Sequence, residues 1–227
     1  MKTLYLHIGS PKTATTSIQH FCSENQEILN QKGFCYPDFG KYYPRVGVLR
    51  NGHFIMAATQ QAQNEDVDKP DSEFDTAFQT IYGLFEQYDN VILSDEGLWN
   101  YGYHKNSRVW RQLKKELDKG IFTLKVIVYL RRQDTYLFSW WNQQIKEGFR
   151  ANSSISWDDI VATGKYVQLD YYKMLEHISS FVGKENVSVR LFDRKAFFWR
   201  HNIQRLYAVC WLRFHRRIYN YYRDDQL

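Results

Sequence analysis

The stretch Leu4-Tyr5-Leu6-His7-Ile8-Gly9-Ser10-Pro11-Lys12-Thr13-Ala14-Thr15-Thr16-Ser17-Ile18-Gln19 constrains this chain most. Residues 3–8 are short, apolar and β-rich, as a central strand requires. Gly9 and Pro11 break it. Thr13, Thr15, Thr16 and Ser17 then place hydroxyls at a helix start, where backbone N–H groups have no internal partner. Free donors and the positive end of the helix dipole attract anions there, and Lys12 adds a mobile cation. The stretch reads as a phosphate cradle joining a buried strand to a helix. An ordinary strand-turn-helix with a polar cap would share part of this pattern. It is not a Walker A loop, which needs Gly-x-x-x-x-Gly-Lys-Ser/Thr with its Lys at the helix entry; here Ala14 holds the second Gly position and the Lys lies two residues earlier.

Around this stretch the chain alternates helical and strand patterns. A helix is expected over 15–31, ended by Gly33, with Cys35-Tyr36-Pro37 a short extended piece beyond it. Residues 38–52 lack a period and read as a surface loop, after which Asn51-Gly52-His53-Phe54 opens a short helix. Apolar residues at helical spacing predict helices over 72–88, 106–118 and 169–183, with 60–72 a loop. Val91-Ile92-Leu93, Phe122 to Leu130 and Val187 to Phe192 are further strands, with a helix from about Gln133 to Lys146. Residues 148–168 read as a loop-rich acceptor or cover segment, with a short helix near 156–162. The pattern predicts a three-layer α/β/α sandwich with a mainly parallel, P-loop-like nucleotide-binding sheet over residues 1–198. In such sheets ligands bind beyond the carboxyl ends of the strands. Glu96, in Ser94-Asp95-Glu96-Gly97, and Arg131, in Arg131-Arg132-Gln133-Asp134, lie at such ends. Glu96 reads as a general base or as a cap carboxylate; His53 is a second candidate base or a surface histidine. Asp193-Arg194-Lys195 puts basic side chains after the last strand.

At 44% hydrophobic residues the chain can build a core, so disorder is excluded as its general state. No apolar run reaches a membrane span, and with an immediate entry into a strand no signal peptide is expected. Cys22, Cys35 and Cys210 are odd in number and lack metal spacing, so reduced thiols and a cytoplasmic setting are expected, with no metal. A formal charge of +5 suits an anionic ligand as well as a nucleic-acid surface.

Pro11-Lys12-Thr13-Ala14-Thr15-Thr16-Ser17 resembles the 5′-phosphosulfate loop of sulfotransferases that use 3′-phosphoadenosine 5′-phosphosulfate (PAPS), commonly Pro-Lys-Thr-Gly-Thr-Thr-Ser. Ala14 is the one departure. It costs little if that residue is helical and more if its φ is positive, and the helical case is expected. Arg131 with Ser139 eight residues on resembles the family's 3′-phosphate motif, Arg-Asn-Pro-x-x-x-x-x-Ser, with Asn-Pro replaced by Arg132-Gln133. Arg132 is a competing candidate. The resemblance covers roughly 3–198 and implies sulfuryl transfer to a hydroxyl or amine, with a carbohydrate acceptor favoured and adenosine 3′,5′-bisphosphate as the other product. It implies Lys12 at the bridging oxygen, Thr13, Ala14, Thr15, Thr16 and Ser17 at the 5′-phosphate, Arg131 and Ser139 at the 3′-phosphate, and a base after the strand that carries Glu96. No metal, nucleic acid or transmembrane segment is implied. A P-loop-like kinase or nucleotide hydrolase, and a non-catalytic nucleotide- or RNA-binding protein, are the alternatives.

Residues 199–227 depart from this character. They hold six Arg, two Trp and four Tyr, and neither Gly nor Lys. Arg-rich segments can bind nucleic acid. A second reading comes from permitted codons for residues 199–222 read one base later, which give Gly-Gly-Thr-Ile-Tyr-Lys-Asp-Phe-Met-Gln-Cys-Val-Gly-Leu and onward. That peptide resembles the family's continuation, a Gly-containing loop that helps hold the nucleotide. The expectation is a frameshifted C-terminus.

Overall fold

The computed structural model describes residues 1–43, 47–61, 72–101, 108–146, 156–158 and 169–192, all within one compact unit, Met1–Phe192. Five strands form one sheet in the order β2-β3-β1-β4-β5, every neighbouring pair parallel. They are β1 (Thr3–His7), β2 (Phe34–Cys35), β3 (Asn90–Ser94), β4 (Thr123–Arg131) and β5 (Val187–Phe192). Helices connect them: α1 (Thr15–Glu24), α2 (Gln26–Gln31), α3 (His53–Gln61), α4 (Ser72–Gln87), α5 (Gly97–Tyr101), α6 (Arg108–Asp118), α7 (Gln133–Lys146) and α8 (Tyr171–Val182). Parallel neighbours require such crossovers, and helices on both faces bury the sheet.

Side-chain alternation sorts the two faces. Leu4, Leu6 and Ile8 of the β1 end join Val91, Leu93, Leu124, Val126, Val128 and Leu130 in one buried cluster. Phe74, Phe78 and Ile81 of α4, Trp110 and Leu113 of α6, and Met174 and Ile178 of α8 complete it. The alternate residues point to the other layer: His7 Nδ1 lies 2.8 Å from the Ser94 hydroxyl, which accepts from Gln19 of α1. Strand β1 is the centre of the sheet, in register with β3 (His7 opposite Ser94) and β4 (His7 opposite Ile127).

Three expectations change. The helix expected over 15–31 is interrupted at Asn25 (φ −112°, ψ 27°), whose side chain donates to the Phe21 carbonyl at 2.8 Å. This is the local side-chain hydrogen bonding that makes Asn a poor helix interior residue. The extended piece near Cys35 begins one residue earlier and is the sheet's edge strand β2. The loop expected over 38–52 is no mere surface loop, because Val48, Leu49 and Asn51 are buried. Asn51 donates to the carbonyls of Pro37 (3.1 Å) and Ile92 (2.9 Å) and accepts from the N–H of Ser94 (2.8 Å), fastening the segment to β3. The segment expected over 148–168 is described only at 156–158. Asp193-Arg194-Lys195, Cys210 and the tail 199–227, with the boundary at 198, lie outside the described residues. No described helix is long and apolar enough to cross a membrane.

Candidate active site

The chain leaves β1 along β4 rather than into open space. Ile8 N–H donates to the Ile127 carbonyl (3.0 Å), Tyr129 N–H to Gly9 (2.7 Å) and Ser10 N–H to Tyr129 (2.8 Å). This extends the parallel ladder past the end of β1 and fixes the start of the cradle. Gly9 is required here: its φ is +82°, and a Cβ would sit 3.0 Å from the Cβ of Glu96. The ends of β1 and β3 therefore meet at close approach.

The cradle bends through two left-handed residues, Lys12 (φ 67°) and Ala14 (φ 58°, ψ 33°). The helical expectation for Ala14 is thus corrected. Ala14 occupies the N-cap position just outside α1, and the loop reaches the helix only by turning left-handed there. No side chain caps α1. Ser17 N–H and Ile18 N–H both donate to the Ala14 carbonyl, at 3.1 and 3.2 Å, so α1 starts directly from this left-handed turn.

The four hydroxyls of the cradle divide into two pairs. Thr13 is fully buried and donates to the Ser10 carbonyl, closing the loop on itself. Thr15, also buried, donates to Oε2 of Glu96. Both hydroxyls are thus engaged within the protein. Thr16 is exposed and Ser17 half-buried at the open end of the helix.

Glu96 links β3 to this loop. Burial raises its carboxyl above the ordinary range, and the neighbouring Asp95 charge adds to the rise; the Thr15 hydroxyl and the Lys12 cation oppose it. Asp95 itself is fully buried and structural. It accepts from Arg50 Nε (3.0 Å) and Nη2 (2.8 Å) and from Gly97 N–H (2.7 Å). Gly52 lies so close to this strand end that a Cβ would be 2.8 Å from the Ser94 carbonyl carbon. His53 stands in the same group, its Nδ1 2.7 Å from Arg50 Nη2 and 3.2 Å from Asp95 Oδ2. A guanidinium has no lone pair to offer, so at that distance Nδ1 accepts. That nitrogen is thus engaged within the protein, between Arg50 and Asp95.

Arg131 and Arg132 point to different places. Arg131 Nη1 donates to the Lys12 carbonyl (3.2 Å), its Nε donates to the Thr135 hydroxyl (3.2 Å), and its guanidinium lies over the Phe192 ring at 5.5 Å. Its own carbonyl accepts from the Tyr171 hydroxyl at 2.7 Å. Arg132 pairs with Asp134 on the surface, with 80% of its side chain exposed. The guanidinium that meets the cradle is therefore Arg131. Ser139 follows Thr135 by four residues and Gln143 follows Ser139 by four, so the three share one face of α7. Thr135 meets Arg131 at one end of this polar row; at the other, Gln143 Oε1 accepts from the Lys12 ammonium.

Lys12, Glu96 and Arg131, far apart in sequence, thus surround one loop. Sequence reading overlooked Gln143, Arg50 and the buried role of Asp95. The i, i+4 row of Thr135, Ser139 and Gln143 is a signal that could have found the first. Among the described residues, no group of three or more His, Cys, Asp or Glu is arranged to hold a metal ion. The described cysteines, Cys22 and Cys35, are buried free thiols, which burial pushes up to about 12 and about 11.

Among solved structures, the chain is similar to a sulfotransferase from Alicyclobacillus acidocaldarius, with a TM-score of 0.51 at 12% identity over 94% of this chain and 82% of that one. The likeness is one of fold. No family model and no curated protein matches the chain. The all-parallel sheet flanked by helices, with its loop from β1 into α1, is a P-loop-like α/β architecture.

Proposed function

We propose that this chain is a sulfotransferase that moves a sulfuryl group from PAPS to a hydroxyl or amine of an acceptor, with carbohydrate as the favoured class. One observation carries the reading: the loop after β1 and the end of β4 converge, Arg131 donating to the carbonyl of Lys12 at 3.2 Å. A ligand spanning them would carry negative charge at both ends, which fits a nucleotide with a 3′-phosphate and a 5′-phosphosulfate. The residues present suit such a group: a helix start that no side chain caps, Thr16 and Ser17 at its mouth, and a planar guanidinium beside Ser139's helix. A cytoplasmic setting goes with the reading.

PAPS supplies an activated sulfuryl group on its 5′-phosphate. Lys12, Thr16, Ser17 and the α1 N–H groups bind that end, and Arg131 with Ser139 binds the 3′-phosphate. Glu96 takes the acceptor's proton as the new O–S or N–S bond forms. Lys12 stabilises the charge that passes to the departing phosphate as the old S–O bond breaks. A carboxyl raised by burial is a stronger base than an ordinary one. Positioning and charge neutralisation then do most of the catalysis, as in phosphoryl transfer.

Calorimetric titration with adenosine 3′,5′-bisphosphate tests this directly. Saturable binding to the wild type, lost in Arg131→Ala and weakened in Lys12→Ala, is expected. Binding of Mg²⁺-ATP in its place would move the site to the kinase class. Salt-sensitive nucleic-acid binding lost on deleting residues 199–227 would move the chain to the RNA-binding reading.

A further inference from the structure

Lys12 is held at both ends by one continuous piece of chain. Where β4 stops, Arg131 donates to its carbonyl; farther along, on α7, Gln143 Oε1 accepts from its ammonium. The left-handed backbone at Lys12 (φ 67°) sets the direction in which the side chain leaves the loop. A flexible four-carbon stem follows, and an ammonium on such a stem samples many positions unless something fixes it. We propose that Gln143 is a positioning residue for Lys12, its amide oxygen setting where the ammonium points and tying the cradle to the helix that carries Ser139. The catalytic part of this proposal rests on the reading of Lys12 as the cation at the leaving group.

The chemistry of an amide suits the task. It accepts a hydrogen bond from the ammonium without cancelling its charge, so the cation remains available to a departing phosphate. A carboxylate at the same place would hold the ammonium more firmly and neutralise it. An aliphatic side chain of similar size would remove this acceptor. The row on α7 also fixes a distance. Thr135 and Gln143 are eight residues apart, about 12 Å along a helix at 1.5 Å per residue. Arg131 is held at one end of that row and Lys12 at the other, with Ser139 between them. One rigid helix thereby spaces both cations.

Lysine-selective acylation of the full-length protein, read residue by residue by peptide mass spectrometry, tests the contact without any ligand. Gln143→Glu is expected to slow acylation of Lys12 about tenfold, since an opposite charge in contact favours the charged amine. Gln143→Leu is expected to speed it several-fold. Gln79→Glu, the same charge change at an exposed site on α4, leaves it unchanged. Opposite signs for Glu and Leu mark a direct contact; a general loosening of the fold would move both the same way. Equal rates, or shifts in one direction, overturn the proposal. In turnover, both Gln143 variants are expected to lose about 10²-fold in kcat with a much smaller change in KM for the donor; an unaltered kcat overturns the positioning role. Bisphosphate binding by the wild type is measured separately. Its absence would count against the sulfotransferase reading, while the acylation rates still decide the Lys12–Gln143 contact.

Discussion

Ala14→Gly is the substitution whose sign separates two backbones. Ala14 sits at φ 58°, ψ 33°. A left-handed L-residue pays roughly 1–2 kcal/mol for the crowding of its Cβ against the next carbonyl. Glycine removes that crowding but gives the unfolded chain more freedom, which offsets about 0.4–1 kcal/mol. Ala14 is half-buried, and its methyl is a small packing loss. The net expectation is a gain of about 1 kcal/mol, which for a chain of this length raises Tm by about 2–4 °C. Urea unfolding should show a higher midpoint with an unchanged slope. Were Ala14 instead inside the helix, glycine there would lose about 0.8–1 kcal/mol. The two geometries thus differ by about 2 kcal/mol in the same measurement, and a lowered midpoint would refute the left-handed assignment. Ala14→Val provides the converse, since a β-branched residue at positive φ should destabilise clearly.

Glu96→Gln should cut sulfuryl transfer by about 10²–10⁴ while stabilising the protein at pH 7. Because burial raises this carboxyl in the fold, its favourable contribution is present below the unfolded value and lost as pH rises through the folded one; thermal unfolding at pH 4 and pH 7 should show the gain only at the higher pH. His7 carries the reverse sign. Burial lowers it to about 4, so its contribution is complete above about 6.5 and is lost as pH falls from there through 4, about 3 kcal/mol in all. The pH dependence of urea midpoints should flatten over that window in His7→Asn. Arg132→Ala, altering an exposed side chain paired with Asp134, should leave bisphosphate affinity within about twofold, against a loss of more than about tenfold for Arg131→Ala. A chain carrying the peptide encoded one base later after Phe198 should bind the bisphosphate more tightly than the present chain in the same titration; equal affinity would remove the frameshift reading.

Periodicity made the layers legible. The strands at 3–8, 91–94, 123–130 and 187–192 and the helices over 72–88, 106–118 and 169–183 match the observed elements to within a few residues. Their apolar residues decide both their type and their buried face. What stayed hidden depends on contacts between distant segments. Asn51 looks like any loop asparagine until it is seen to satisfy three backbone groups of Pro37, Ile92 and Ser94. Arg131 and Arg132 are chemically identical neighbours, and only the end of β4 decides which one faces the cradle. Ala14 illustrates a different limit. Alanine favours helices in general, but the path of the loop overrides a propensity of that size.

The sheet order gives the site its dimensions. Strand β1 ends at His7, opposite Ile127, yet β4 runs on for four more residues to Arg131. At about 3.3 Å per residue this overhang carries the backbone of Arg131 about 13 Å beyond the end of β1. The cradle follows the overhang: residues 8, 9 and 10 pair with β4, and the next contact in line is Arg131 with the carbonyl of Lys12. On the other side β3 ends level with β1, so Glu96 comes up against Gly9 where the same loop begins and Thr15 where it enters α1. A carboxylate on the β3 side of the loop and a guanidinium on the β4 side are therefore consequences of unequal strand lengths around a central strand. A deletion within β4 would be expected to separate Arg131 from the cradle without disturbing Glu96, whereas one in β3 would do the reverse.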